Sequence, residues 1–277
     1  MISSAVKLSS VLELDRVESH AWYANGIWQR IACHLPEEQK LSIFVNGQEL
    51  VNILCTPEKL NCLVAGFLRS EGFITDLDEI MMMRICVEES LADVRLTKEI
   101  AARPSGRTIT SGCGGGITFD QSAHIRPLNS TLYVSPDQIL SSVRLLLGNP
   151  KHEQENNEIR KGVHVSALSD GNQLIVRAED IGRHNTIDKI WGECMLTGIA
   201  TADRLLVTTG RISSEMLLKA ARMEIPVVAS LNSATRRAVE LGHDLGITVV
   251  GYVRGGRMSV YSHSQHIIGL PGKEQKT

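Results

Sequence analysis

Cys113 stands in Ser111-Gly112-Cys113-Gly114-Gly115-Gly116, one thiol among four glycines. Glycine has no Cβ, so such a stretch reaches backbone angles closed to other residues and leaves its neighbours uncovered. A cysteine there is presented rather than packed, and its thiolate can meet a second protein or a ligand. No charged residue adjoins it. Arg107 lies a few positions upstream, so thiolate formation calls on the rest of the molecule or on a partner.

Three other clusters concentrate polar chemistry. In Ala178-Glu179-Asp180-Ile181-Gly182-Arg183-His184-Asn185-Thr186-Ile187-Asp188-Lys189, acids, an arginine, a histidine and a lysine crowd the junction of a strand and a helix. One reading is capping, with Asn185 as N-cap and Asp188 near the positive helix end. The other is a ligand pocket built from Glu179, Asp180, Arg183, His184 and Asn185, since ligands gather at the carboxyl edge of such sheets. Thr208-Thr209-Gly210-Arg211-Ile212-Ser213-Ser214-Glu215 repeats the strand–turn–helix pattern. Its helix start, with Arg211 and Ser214, suits an anion, and Ser213 serves as cap. In Gly251-Tyr252-Val253-Arg254-Gly255-Gly256-Arg257, two arginines and a tyrosine flank a Gly-Gly turn. That turn either holds phosphates and stacks a base or is a hairpin with two solvated arginines.

No metal site is expected. A zinc nucleobase deaminase needs H-x-E or C-x-E followed by P-C-x-x-C; after the second strand the chain has Arg183-His184-Asn185, and no P-C-x-x-C follows anywhere. His164 and His184 read as hydrogen-bonding histidines.

The elements that must position these residues form two parts. In residues 1–125, Leu41–Val45 and Glu49–Cys55 flank Asn46-Gly47, a two-residue hairpin signal. Thr56-Pro57 predicts the start of a helix carrying Leu60, Leu63, Val64, Phe67 and Leu68, with Gly72 as its stop. A β-rich segment from Met81 to about Leu96 follows. In residues 126–277, Ser135-Pro136-Asp137-Gln138 is a capping box before a helix that stops at Gly148. Strands are expected at Val163–Leu168, Gln173–Ala178, Leu205–Thr209, Val227–Ser230, Ile247–Val253 and Met258–Ser262. Helices are expected from about Asn185 to Leu196, at Ser214–Arg222 and at Ala234–Leu245. Such alternation predicts a largely parallel sheet covered on both faces. The expected class is α/β, a cytidine-deaminase-like mixed-sheet domain preceded by a smaller α+β domain that ends in the Cys113 glycine loop.

The 277 residues are 43% hydrophobic, enough for two domains. A net charge of −2 gives no global attraction to nucleic acid or a membrane surface. Six cysteines without a C-x-x-C pair, and an N-terminus without a basic-then-apolar leader, point to a reducing cytoplasm. No apolar run approaches the ~18 residues of a membrane span.

Taken together, Val45-Asn46-Gly47, Thr56-Pro57, Gly66-Phe67-Leu68-Arg69-Ser70-Glu71-Gly72 and Gly162-Val163-His164 resemble the FdhD family. So do Glu179 to Asn185, Asp188-Lys189, Gly210 to Met216 and Gly251 to Arg254. That resemblance implies a sulfurtransferase required for active formate dehydrogenase. It takes persulfide sulfur from a cysteine desulfurase and passes it to the Mo-bis-molybdopterin guanine dinucleotide cofactor. It further implies that Cys113 carries the persulfide, that Tyr252 to Arg257 meet the cofactor, and that a homodimer is the working form. One position departs from the pattern: Gly116 stands where many members have a second cysteine, so transfer must proceed on one thiol. The alternative is a chaperone that delivers cofactor without sulfur chemistry.

Overall fold

The computed structural model describes residues 19–32, 35–99, 107–109, 117–119, 125–148 and 162–270. The chain divides into two compact units. One joins Met1–Glu37 with Pro150–Gly162; the other joins Glu38–Asn149 with Val163–Thr277.

In the first unit, β1 (Ser19–Ala24) and β2 (Ile27–Ala32) form an antiparallel hairpin. Its turn is Asn25-Gly26, both residues at positive φ. This is the same two-residue signal as Asn46-Gly47, and it passed unread in the sequence.

The second unit holds both larger sheets. The smaller has the order β4 (Gln48–Cys55), β3 (Gln39–Val45), β6 (Leu91–Leu96), β5 (Ile80–Cys86). Asn46 and Gly47 sit at φ 51° and 82°, as a two-residue turn between twisted strands requires. Every second residue of β3 (Leu41, Ile43, Val45) is buried, and this face packs on α1 (Leu60–Ser70) through Leu63, Phe67 and Leu68. The pair β7 (Arg107–Ile109) and β8 (Ile117–Phe119) is antiparallel.

The larger sheet runs β10 (Leu174–Asp180), β9 (His164–Ser169), β11 (Leu205–Thr208), β12 (Val227–Ser230), β13 (Thr248–Arg254), β14 (Arg257–Val260). The expectation of a largely parallel sheet is corrected. Only β11–β12 and β12–β13 pair in parallel, while β10–β9, β9–β11 and β13–β14 are antiparallel. The cause is connection length. β9 reaches β10 through the tight Asp170–Gln173 turn, and β13 reaches β14 through Gly255-Gly256, spans too short for a parallel crossover.

Both faces of this sheet are covered. Ala167, Leu205, Val207 and Val227 pack on α2 (Pro136–Leu147). The alternate residues Leu168, Leu206 and Val228 pack under α3 (Arg183–Thr197), α4 (Ser214–Arg222) and α5 (Arg236–Leu245). The Ser135 capping box forms as read, its hydroxyl accepting from Gln138 N–H while the Gln138 side chain accepts from Ser135 N–H.

The boundary expected after residue 125 falls inside this second unit, because α1 lies directly along α3. A Cβ on Gly66 would stand 1.8 Å from the Asp188 carbonyl oxygen, and one on Gly192 would stand 1.9 Å from that of Cys62. Only glycine at both positions allows the two helix backbones to approach so closely. Among the described residues, no helix is long and apolar enough to cross a membrane.

Candidate functional site

Strand register gathers the three polar junctions on one edge. Asp180 pairs with His164, Ser166 with Thr208 and Thr208 with Ser230, while Tyr252 N–H donates to the Asn232 carbonyl at 3.0 Å. The ends of β10, β11, β12 and β13 therefore line up with the start of β9. The α3 and α4 N-termini open there too. This is the carboxyl edge of the parallel strands, where the topology collects loops and helix starts.

The Glu179–Lys189 junction splits into a fully buried group and a group nearer the surface. Asp180 and Lys189 are fully buried and lie 2.7 Å apart. Asp180 Oδ1 accepts from Gly182 N–H (2.8 Å) and Asn185 Nδ2 (2.7 Å). Its Oδ2 accepts from Thr56 N–H (3.1 Å) and Thr56 Oγ1 (3.2 Å). Lys189 Nζ donates to Thr56 Oγ1 at 2.8 Å and to the Glu179 carbonyl at 3.1 Å. Below it, Lys219 Nζ reaches both Asp188 oxygens at 2.7 and 2.6 Å. Burial pushes the Asp188 carboxyl above its usual range, and the Lys219 ammonium opposes that rise. Buried charges persist only when paired and hydrogen-bonded, as these are.

Two local expectations are corrected here. Thr56 does not cap α1, which begins at Leu60 after Lys59 in a left-handed conformation. Its N–H and hydroxyl are committed to Asp180 instead. Asn185 is not an N-cap either: Gly182 holds that position without a side-chain bond. Asn185 Nδ2 bridges Asp180 to the Leu54 carbonyl at 2.8 Å, tying α3 to the end of β4. Asp180 and Asn185 thus tie α3 to the end of β4 and to Thr56. Glu179 gives its carbonyl to Lys189 and its carboxylate to Arg177 at 2.5 Å.

Arg183 and His184 begin α3, with Arg183 largely buried. His184 Nε2 lies 3.2 Å from Ser213 Oγ and 3.2 Å from Glu215 Oε2. Burial, reinforced by the positive charges of Lys219 and Arg183, pulls the His184 pKa down to about 3. The ring is therefore neutral near pH 7, and its contact with Glu215 is not an ion pair. Burial pushes Glu215 the other way, above the usual carboxylate range. Burial and the Arg183 charge likewise lower His164. A Cβ on Gly210 would fall 2.9 Å from Arg183 Cβ and 3.6 Å from His164 Nδ1, so the Gly210 turn closes directly over this group. Ser213 caps α4 as expected, Ser214 is its first residue and Arg211 is exposed. Sequence reading did not single out Glu215 or Lys219. Glu215 is the second residue of α4 after its Ser213 cap, a place that reads as ordinary helix chemistry.

The Tyr252–Arg257 segment is the turn from β13 to β14. Tyr252, Gly255 and Gly256 all have positive φ, and Arg254 pairs across the turn with Arg257. Tyr252 and both arginines are exposed, and the Arg254 guanidinium lies 5.8 Å from the centre of the Tyr252 ring. Val253 differs: its side chain is fully buried in the α2-side core, leaving only its backbone for a ligand.

Cys113 lies outside the described residues. Among the described cysteines, Cys55, Cys62 and Cys194 are buried, as their strand and helix patterns predict. Burial pushes Cys55 and Cys194 up to about 12 and raises Cys62, so none of these is a ready thiolate at neutral pH. Among the described residues, no cluster of three His, Cys, Asp or Glu could hold a metal ion.

Fold and edge together define a mixed α/β protein that keeps one charged motif inside and offers exposed guanidinium groups at the carboxyl end of its sheet. The model of the FdhD/NarQ family matches residues 36–268, and the chain belongs to that family. It is 38% identical over 237 residues to the sulfur carrier protein FdhD of Staphylococcus aureus strain MRSA252, covering 83% of this chain and 88% of that one. The protein of the same name from strain JH9 matches to the same extent. In three dimensions the chain is similar to a crystal structure from Desulfotalea psychrophila, described as a formate dehydrogenase accessory protein. The TM-score is 0.72 at 26% identity, with 90% of this chain and 98% of that chain covered.

Proposed function

We propose that this protein is a cytoplasmic sulfur carrier that serves formate dehydrogenase, working as a homodimer with Cys113 as its carrier thiol. The observation that carries the reading is the 38% identity to a sulfur carrier protein over most of both chains. The glycines around Cys113 support it, because they suit a thiol that must visit two partners. In the first step the Cys113 thiolate attacks the outer sulfur of a cysteine desulfurase persulfide. The sulfur–sulfur bond of the donor breaks, the desulfurase cysteine leaves as thiolate, and the persulfide now stands on Cys113.

The acceptor substrate is the Mo-bis-molybdopterin guanine dinucleotide cofactor. The Tyr252–Arg257 turn supports that choice. Arg254 and Arg257 are exposed and suited to phosphate oxygens, and the Tyr252 face can stack a base. Arg211 and the α4 start add positive potential on the same edge. The neutral His184, hydrogen-bonded to Ser213, offers a polar wall without a further charge. We also read the larger sheet as cytidine-deaminase-like, supported by its strand order and by helices on both faces.

The test is intact-mass analysis after incubation with a cysteine desulfurase and cysteine. Wild type should gain one sulfur atom and Cys113→Ala none, and that variant should fail to mature formate dehydrogenase while unfolding at the wild-type urea midpoint. Persulfide mapped to Cys55, Cys62 or Cys194 would overturn the assignment.

A further inference from the structure

The opposite edge of the larger sheet carries a separate cavity of about 490 Å3, within the size range of small-molecule sites. It lies at the amino ends of the parallel strands, since Asp203 precedes β11 and Glu224 precedes β12. Three arginines line it: Arg69 from the last turn of α1, Arg222 from the last turn of α4, and Arg126 from the segment before α2. Arg69 lies over the Trp191 ring, 5.0 Å from its centre. Burial lowers the Arg222 pKa, the Glu71 and Asp188 charges oppose that shift, and the Arg222 guanidinium donates to the Ser70 carbonyl, so Arg222 frames the cavity while Arg69 and Arg126 face a ligand.

The walls are fixed. Leu128 N–H donates to the Leu245 carbonyl at 2.8 Å, and Ser130 Oγ donates to Asp203 Oδ1 at 2.5 Å, pinning the 125–130 segment across the mouth. Asp203 and Glu224 are both non-glycine residues in the left-handed region, at φ 54° and 57°, and Asp203 N–H donates to the Glu224 carbonyl at 3.3 Å. Backbone held in so sparsely populated a region by its surroundings is a recurrent mark of binding sites.

We propose that this cavity is a second ligand site that binds a phosphorylated small molecule through Arg69 and Arg126. Arginine forks match phosphate oxygens in geometry and charge. The exposed Asp203 and Glu224 carboxylates repel a bare polyanion and favour a ligand that also carries hydroxyl or amino donors. The site is independent of the Tyr252–Arg257 turn, which lies beyond the other end of the strands.

Calorimetry with ribose 5-phosphate, against inorganic phosphate and chloride at matched ionic strength, tests this on the full chain. Ribose 5-phosphate should bind, inorganic phosphate should bind more weakly, and Arg126→Gln should weaken ribose 5-phosphate about tenfold, the loss of one charge-assisted contact. Arg254→Ala should leave this binding unchanged. In a Trp22→Phe/Trp28→Phe chain, Trp191 is the sole remaining tryptophan. Its emission should shift as the ligand draws on Arg69, and Arg69→Gln should abolish that shift. Absence of binding at millimolar ribose 5-phosphate, binding indifferent to Arg126→Gln, or binding lost in Arg254→Ala would each overturn the proposal.

Discussion

The base of α3 and the β13–β14 turn carry similar residue types and use them in opposite ways. At the base of α3, Asp180, Lys189, Asp188 and Lys219 are buried, and each has a charged partner within 2.7 Å. At the turn, Arg254 and Arg257 are exposed on a Gly-Gly bend with solvent before them. The first arrangement spends every donor and acceptor internally and cannot offer them to a substrate. The second leaves its donors available at the edge where ligands gather. Charge density alone therefore does not mark a site; the share of it still facing water does.

The hardest test of that contrast is Lys189→Met. It leaves Asp180 buried without its cation, a change that costs about 3–5 kcal/mol. Urea unfolding should show the loss, and Asp180→Asn/Lys189→Met should lose less than the sum of the two single variants. Were Lys189→Met to unfold like wild type yet fail to support formate dehydrogenase, the network would be functional machinery and the contrast would collapse.

Gly192→Ala probes the same layer without touching a charge. Its new Cβ would collide with the Cys62 carbonyl, so α1 and α3 must move apart. Overpacking of this kind costs about 1–3 kcal/mol. A urea midpoint within error of wild type would show that the helices separate freely and that the close crossing is not required.

At the exposed turn, Arg254→Ala should leave the urea midpoint unchanged and weaken GDP binding about tenfold, the loss of one charge-assisted contact to phosphate. The defect should shrink as salt rises, because the contact is solvent-exposed and screened. Stability lost in place of affinity would mean that the turn, like α3, spends its charge on the fold.

How much of this was legible follows from sequence separation. Asn46-Gly47 and Ser135–Gln138 act within a few residues, and both formed where the sequence placed them. The edges of β10, α4 and β12 were likewise close to their expected positions. Thr56 and Asn185 looked like helix caps because Thr-Pro and His-Asn precede helical periodicity. Their real partners lie 124 and 131 residues away, at Asp180 and Leu54, and no local window contains them. Lys219 reads as a solvated helix lysine until Asp188 is found opposite it, 31 residues distant. The expected sheet direction failed for a related reason. Alternating strands and helices imply parallel crossovers, and the two hairpin turns at the ends of the sheet reverse that locally.

The mostly buried His184 ring between the two regions gives the smallest and most specific effect. His184 is held near pKa 3 in the fold against an ordinary value near 6.5, so acid favours the unfolded chain, which binds the proton first. The His184 contribution is complete above pH 6.5 and declines as pH falls towards 3. At pH 6 the loss from this one ring is on the order of 1 kcal/mol or less relative to pH 7.5. Glu215, raised in the fold, takes up a proton in the acid range more readily than the unfolded chain does and offsets part of the loss there. Arg183, Lys219 and His164 complete the set of charges felt by the ring, and they disfavour its protonation. Urea unfolding of wild type and His184→Gln at pH 7.5 and pH 6 isolates the term, since the remaining histidines are common to both. The gap between the two proteins should narrow on acidification, because only wild type loses the ring's contribution. A gap that stays constant or widens would mean that His184 is charged in the fold and pairs with Glu215 as an ion, moving it from the available edge into the buried network.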